Sequence, residues 1–212
     1  FMPCLSTEIA DKQNMNLIVS PHIDDEVLGC YTAIGPESFV LYCGSDESRI
    51  NFEWVKERPT STKRMEELNA LQNKIGFKYE ILPNAVNHYH VNELIPSIES
   101  VINKIKPDAV YIPVPSYNQD HRAAYEAALT ALRPHDVNHF VPKVLIYEQL
   151  QDLWNHNYHP FHPIYFRKLD IDAKIAAYQV LATQVRSFRS PQMLRDLAAV
   201  RGIQCNQPYA EG

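Results

Sequence analysis

The stretch NLIVS at 16–20, followed by PHIDDE at 21–26, decides how this chain folds. The first segment is short and apolar, so it predicts a buried strand, and the second predicts a polar loop that opens a helix from Glu26 to about Ile34. A buried apolar run that ends in a polar loop and a helix is typical of a parallel strand in an α/β protein.

The same alternation continues along the chain. Further strands are predicted at 38–43, 79–82, 109–112 and 143–147, with amphipathic helices at 58–75, 92–105 and 121–132. Gly76 stands where a helix stop belongs. Beyond Pro134 the pattern predicts a short strand at 164–166 and helices at 170–185 and 191–200, the last one stopped by Gly202. The sequence therefore predicts an α/β fold with a mostly parallel sheet flanked by helices.

Length and composition describe an ordinary globular protein. The chain has 212 residues, of which 45% are hydrophobic and 21% are charged. These values argue against a disordered chain, a coiled coil or a collagenous chain, and the length suits one domain over 1–212. Phe1 ahead of Met2 is interpreted as a remnant of cloning that takes no part in the fold.

Charge and cysteine usage limit the partners. No apolar run is long enough to span a bilayer, and residues 1–13 lack the pattern of a signal peptide. The formal net charge is −5 and no basic patch is evident, which argues against nucleic acid and favours a small-molecule partner. The four cysteines are scattered, so we expect reduced thiols and a cytoplasmic protein.

The loop after the first strand carries metal-binding chemistry. Catalytic zinc takes three nitrogen or oxygen ligands from the protein, and His22 and Asp25 could supply two of them. His121 is the obvious third ligand, because it also lies between a strand end and a helix start. If strands one and four are close in the sheet, the two loops meet above its edge. Asp24 cannot easily share that metal with its neighbour, so it is free to act as a general base.

These motifs resemble those of a known family. The segment from His22 to Glu26 resembles the first signature of the PIG-L/LmbE-like zinc-dependent N-deacetylases, and Asp120-His121-Arg122 resembles the second. Arg64 with its helix, Tyr178-Gln179 and the closing segment 208–212 look like further family segments. The resemblance implies a Rossmann-like domain that removes N-acetyl groups from N-acetylglucosamine or related sugars.

The resemblance also implies roles for single residues. His22, Asp25 and His121 would bind Zn²⁺, and Asp24 would be the general base. Asp120 would orient a neighbouring group, although it could instead be only the N-cap of the following helix. Asn118 stands where many members have a histidine with an acid or electrostatic role.

An amide cannot deliver a proton at neutral pH, so Asp24 would have to return the proton to the leaving amine. Other histidines are candidates by residue type only, namely His88, His90, His156, His159 and His162. Arg64 and Asn118 are candidate substrate-binding residues, although Arg64 taken alone is more simply a solvated helix residue or an ion-pair partner. The aromatic segment 154–162 could stack against a sugar ring or simply pack as a loop.

The sequence thus predicts a zinc-dependent N-deacetylase of an amino sugar or sugar conjugate. Two alternatives stay open. The same scaffold could hydrolyse a thiol-conjugate amide or an ester, or it could be a non-catalytic sugar-binding module that keeps the metal loop.

Overall fold

The structure is a computed structural model that describes residues 14–45, 61–134, 136–154 and 162–212. Its main sheet has five parallel strands in the order β3-β2-β1-β4-β5. These strands are β1 (Asn16–Ser20), β2 (Ser38–Tyr42), β3 (Lys78–Ile81), β4 (Ala109–Pro113) and β5 (Lys143–Tyr147). The predicted α/β fold with a parallel sheet is confirmed.

Helices cover both faces of the sheet. They are α1 (Asp25–Cys30), α2 (Ser61–Ile75), α3 (Val91–Ile105), α4 (Gln119–Ala131), α5 (Ile171–Tyr178) and α6 (Pro191–Gln204). Leu17 and Val19 of β1 pack with residues of α3 and α4 on one face, while Ile18 packs with residues of α1 and α2 on the other. Because successive side chains point to opposite faces, both halves of β1 are buried, which explains its continuous apolar sequence.

The order of the strands positions the site. The chain moves outward from β1 through β2 to β3, then crosses back to place β4 on the other side of β1. Strands β1 and β4 are therefore neighbours, as the metal hypothesis requires, with Asn16 opposite Ala109. The loops that leave the two carboxyl ends diverge at this reversal and open a crevice, where ligands of such sheets usually bind.

Some predicted helix boundaries agree with the structure and others differ from it. Gly76 ends α2 with φ 93°, the left-handed conformation that glycine adopts without steric cost. Helix α1 is shorter than predicted and continues as a 3-10 turn over Tyr31–Ala33. Helix α4 begins at Gln119, two residues earlier than predicted, because the Asn118 side chain accepts a hydrogen bond from Asp120 N. Residues 58–60 of the second predicted helix lie outside the described residues.

The C-terminal third differs most from the prediction. The strand predicted at 164–166 is wrong: β6 (Arg167–Lys168) follows it and pairs with β7 (Ala210–Glu211). The helix predicted to reach residue 185 ends at Tyr178, and a 3-10 turn follows at Ala182–Gln184. Glu67 of α2 accepts hydrogen bonds from Thr183 N and Thr183 Oγ1, and these tertiary contacts favour the turn over further helix.

The end of the chain is hydrogen-bonded to the residues that follow α1. The Glu211 carboxylate accepts hydrogen bonds from Tyr31 N at 3.0 Å and Thr32 N at 2.9 Å, which follow the last turn of that helix. Lys174 Nζ completes a buried ion pair with Glu211 at 2.7 Å and also donates to Leu28 O. The carboxyl end of the helix that carries Asp25 is therefore fixed by residues from the C-terminal third. Among the described residues, no helix combines the length and apolar character needed to cross a membrane.

Gly202 does not stop α6, which runs on to Gln204. A Cβ at position 202 would lie 2.4 Å from Gln207 O and 2.8 Å from Pro208 O, so glycine is required here by the close approach of the returning backbone. This tertiary contact could not be read from the local sequence.

We expect Gly202→Ala to lower the free energy of unfolding by about 1–3 kcal/mol, because the new methyl group forces backbone away from the helix. Gly35→Ala is the matched control, since nothing lies within 4 Å of a Cβ at that position. Urea unfolding monitored by circular dichroism measures both variants. Helix propensity alone would favour alanine by up to about 1 kcal/mol, so a stabilised Gly202→Ala protein would contradict the packing argument.

Candidate metal centre and active site

A cavity of about 320 Å³ opens at the carboxyl ends of the parallel strands. Its walls come from the loops after each strand of the main sheet and from the segment between α5 and α6. The first loop contributes His22, Asp24 and Asp25, and the loop after β4 contributes Tyr117 and Asn118. The topology therefore gathers residues that are far apart in the sequence around one crevice.

Three potential metal ligands meet in this cavity. One donor atom from each of His22, Asp25 and His121 lies within 4.8 Å of the others. Asp25 Oδ2 is 3.3 Å from His22 Nδ1 and 3.4 Å from His121 Nε2. Two imidazoles and one carboxylate are the donor set of a catalytic zinc site with an open fourth position. The residues present fit a divalent metal, and the convergence predicted from the sequence is confirmed.

Asp120 contacts the ring of His22. Its Oδ2 lies 3.0 Å from His22 Nε2, which leaves Nδ1 of the same ring facing Asp25. The same oxygen accepts a hydrogen bond from Asn87 N at 2.6 Å, and the carboxylate is fully buried. A carboxylate that holds the second nitrogen of a ligating histidine is a common feature of metal sites. The alternative role of Asp120 as the N-cap of α4 is wrong, because Asn118 is the cap.

Charge around the ligands favours a cation. Burial alone would lower the pKa of His22, but its contacts with Asp120 and Asp25 raise that pKa to about 10. Burial lowers the pKa of His121 to about 4, so this imidazole is neutral and keeps a lone pair. Burial opposes ionisation of Asp25, yet His121 and His22 hold its pKa below the ordinary value. The site thus combines buried carboxylates with a neutral His121, and a metal bound there would displace the proton that Asp120 and Asp25 stabilise on His22.

Asp24 stands beside this cluster with only 2% of its surface exposed. Its Oδ2 pairs with Arg189 Nη1 at 2.9 Å, and burial raises its pKa to about 6 against the lowering effect of that arginine. Its backbone has φ 152°, a region that side-chain-bearing residues rarely adopt. Glu26, which is completely buried, accepts a hydrogen bond from Asp24 N at 3.1 Å and stabilises this conformation.

The other predicted residues fall into three groups. Arg64 and Asn118 both line the cavity. With its amide oxygen turned toward Arg64, Gln184 accepts hydrogen bonds from the guanidinium at 3.0 Å and 3.1 Å. The alternative acid candidates His88 and His90 are not among the lining residues, and His162 lines a different cavity. His156, His159 and most of the aromatic segment at 154–162 lie outside the described residues.

Sequence reasoning missed two residues that contact the predicted aspartates. Gln149 Nε2 donates to Asp25 Oδ1 at 2.9 Å, and Arg189 pairs with Asp24. Gln149 follows the end of the predicted strand 143–147 by two residues, so its place at the carboxyl edge of the sheet was an available signal. Arg189 lies in an irregular segment before α6, and no local pattern indicates that it reaches the cavity.

Comparison with known proteins adds a family to this geometry. Residues 17–132 match the family model described as PIG-L, GlcNAc-PI de-N-acetylase. The chain belongs to the PIG-L family. This confirms the resemblance seen in the two sequence motifs, both of which fall inside the matched region of this PIG-L chain. No curated protein matches it.

Solved structures of the same fold come from proteins with different reactions. The PIG-L chain is 18% identical to an N,N'-diacetylchitobiose deacetylase from Pyrococcus horikoshii, with a TM-score of 0.72 over 94% of this chain and 82% of that chain. It is 19% identical to an A40926 pseudoaglycone deacetylase, with a TM-score of 0.72 over 94% and 96%. It is 24% identical to a 4-carboxy-2-hydroxymuconate hydratase from Pseudomonas putida KT2440, with a TM-score of 0.74 over 94% of each chain. These likenesses show the fold, and the reaction has to be argued from the site.

We expect Asp120→Asn to weaken Zn²⁺ affinity about 10- to 100-fold, because a neutral amide oxygen is a weaker acceptor than the carboxylate Oδ2 that contacts both His22 Nε2 and Asn87 N, and the amide nitrogen would face Tyr89 N in place of Oδ1. Competition with a fluorescent chelator measures the affinity. Asp172→Asn is the control, since Asp172 is 82% exposed in a surface ion pair. Equal Zn²⁺ affinity in both variants would show that Asp120 does not position His22.

Proposed function

We propose that this protein is a zinc-dependent hydrolase that removes an N-acetyl group from an amino sugar or sugar conjugate. The observation that carries the proposal is the convergence of His22, Asp25 and His121 beside the buried carboxylate of Asp24. The family description names a de-N-acetylase, and deacetylases of sugar conjugates are among the proteins that share the fold. We further propose that the protein acts in the cytoplasm.

In this proposal His22, Asp25 and His121 hold the metal. Bound there, zinc would polarise the acetamide carbonyl and lower the pKa of the attacking water. Asp120 keeps the His22 ring in the orientation that directs Nδ1 toward Asp25, a geometry supported by its 3.0 Å contact with His22 Nε2. The protein therefore presents its ligands in a fixed arrangement before the metal binds.

Asp24 is the proposed general base. It lies next to a metal ligand, and its ion pair with Arg189 limits the rotation of its carboxylate. The lining residues that the structure describes include no histidine other than the two proposed ligands. Asn118 uses its amide oxygen to cap α4, and an amide cannot supply a proton. Asp24 therefore takes a proton from water and returns it to the departing amine.

The walls of the cavity suit a sugar. Tyr117 and Phe188 line the cavity with about half of each side chain exposed, 45% and 59%, and such aromatic faces can stack on a pyranose ring. Arg64 and Asn118 add polar groups to the lining of the same cavity, which supports their assignment as substrate-binding residues. Polar groups at a few fixed points and apolar surfaces between them are the usual composition of a small-molecule site.

We expect Asp24→Asn to retain zinc and to lose deacetylation by about 10²- to 10⁴-fold in kcat, because the amide cannot accept the proton from water. Elemental analysis measures the metal, and release of acetate measures the reaction. Near-normal turnover of a zinc-loaded Asp24→Asn protein would remove Asp24 as the base.

We expect His121→Ala to lower bound zinc to a small fraction of the wild-type content, since it removes one of three ligands. His139→Ala is a matched control, because His139 is a half-buried histidine outside the cavity that contacts the backbone of Pro107. Unchanged zinc in His121→Ala would place the third ligand elsewhere.

A substrate panel tests the reaction itself. N-acetylglucosamine and its conjugates should release acetate and a free amine, whereas thiol-conjugate amides and esters should react slowly. Preference for the thiol conjugates or esters would favour the second hydrolase class. A zinc-loaded protein that binds the sugars and hydrolyses nothing on the panel would instead favour a sugar-binding module.

A further inference from the structure

Gln149 lies directly behind the proposed metal ligand Asp25. Its side chain is buried, with 1% exposed, and its Nε2 donates a hydrogen bond to Asp25 Oδ1 at 2.9 Å. The residue comes from the segment after β5, 124 positions away along the chain. It also lies outside the region that matches the PIG-L family model, 17–132, and outside the further family-like segments of the sequence.

The rest of the segment holds Gln149 in place. Its backbone N–H donates to Asp152 Oδ2 at 2.7 Å, and its own Oε1 accepts a hydrogen bond from Gln151 Nε2. The guanidinium of Arg201 on α6 donates hydrogen bonds to both carboxylate oxygens of the preceding residue, Glu148. Arg201 Nη2 lies 2.7 Å from Glu148 Oε2. Paired hydrogen bonds of this kind fix orientation as well as position. The amide that meets Asp25 is therefore anchored to α6 and to its own loop.

The two oxygens of Asp25 have different surroundings. Oδ1 is occupied by Gln149, whereas Oδ2 faces His22 Nδ1 at 3.3 Å and His121 Nε2 at 3.4 Å. The backbone N–H of His22 also donates to Oδ2 at 2.8 Å, which further fixes the carboxylate plane. This division directs one oxygen toward the space between the imidazoles and turns the other away from it.

We propose that Gln149 is a positioning residue that makes Asp25 bind the metal through Oδ2 alone. The inference rests on the proposed metal site. A ligand restricted to one oxygen keeps the protein's contribution at three donor atoms, which preserves an open position in a four-coordinate site. Groups that hydrogen-bond a ligating carboxylate typically change metal affinity 10- to 100-fold when they are removed.

The test replaces the Gln149 side chain with side chains of similar volume that have no hydrogen-bond donor. Gln149→Leu and Gln149→Met should bind Zn²⁺ about 10- to 100-fold more weakly than the wild type, measured by chelator competition on protein shown to be folded by circular dichroism. In the Co²⁺ forms, freeing Oδ1 should raise the coordination number. The visible absorption bands, which are most intense for four-coordinate Co²⁺, should therefore weaken. A residue that served only the stability of the fold would leave these bands unchanged.

Gln192→Leu is the matched control, because Gln192 Nε2 donates to Asp196 Oδ1 at 2.8 Å on the exposed surface of α6. Wild-type affinity and Co²⁺ bands in both Gln149 variants would overturn the inference, while loss of metal in His121→Ala would leave the proposed function standing. Metal binding retained by His121→Ala would overturn the site and the inference together. Failure of both Gln149 variants to fold would assign the residue to stability and also overturn the inference.

Discussion

The site depends on the buried carboxylate of Asp25 and on the contacts that stabilise its charge. Asp25 is 1% exposed, and an ionised group at this depth is costly unless it is hydrogen-bonded and paired. It accepts hydrogen bonds from His22 N and Gln149 Nε2, and its Oδ2 faces His121 Nε2. The contacts of this one carboxylate can therefore form only if the loops that follow β1 and β5 and the first turn of α4 all lie in their observed positions.

The reversal of strand order makes this placement of the loops possible. Because β4 pairs with β1 after the chain has travelled out to β3, the loops at 21–24 and 114–118 diverge from adjacent strand ends. Asp120 then ties a third loop to the pair, since its carboxylate contacts both His22 Nε2 and the backbone of Asn87. A parallel sheet without this reversal would not bring the same residues around one crevice.

Much of this arrangement could be predicted from the sequence, because local patterns determine it. The apolar run at 16–20 and the polar loop that follows it indicate a strand that ends beside functional residues. Strand β5 was predicted with its observed bounds. The metal ligands could be found because they lie in short motifs beside strand ends. The proposed roles of Arg64 and Asn118 stay predictions, although both residues line the cavity.

The C-terminal third could not be predicted in the same way, because tertiary contacts determine it. Thr183 leaves the helical path since it bonds to Glu67, and Gly202 permits a close backbone approach instead of ending its helix. Arg189 reaches Asp24 from an irregular segment, and Gln149 contacts Asp25 through a side chain whose direction no periodicity reveals. These contacts couple the less regular part of the protein to the carboxylates on which the chemistry depends.

The most direct test of the proposed metal site is a crystal structure of the protein grown with Zn²⁺, with the anomalous signal recorded at the zinc edge. We expect one strong anomalous peak about 2.0–2.2 Å from His22 Nδ1, His121 Nε2 and Asp25 Oδ2. A peak at any other group of side chains, with those three atoms unligated, would contradict it.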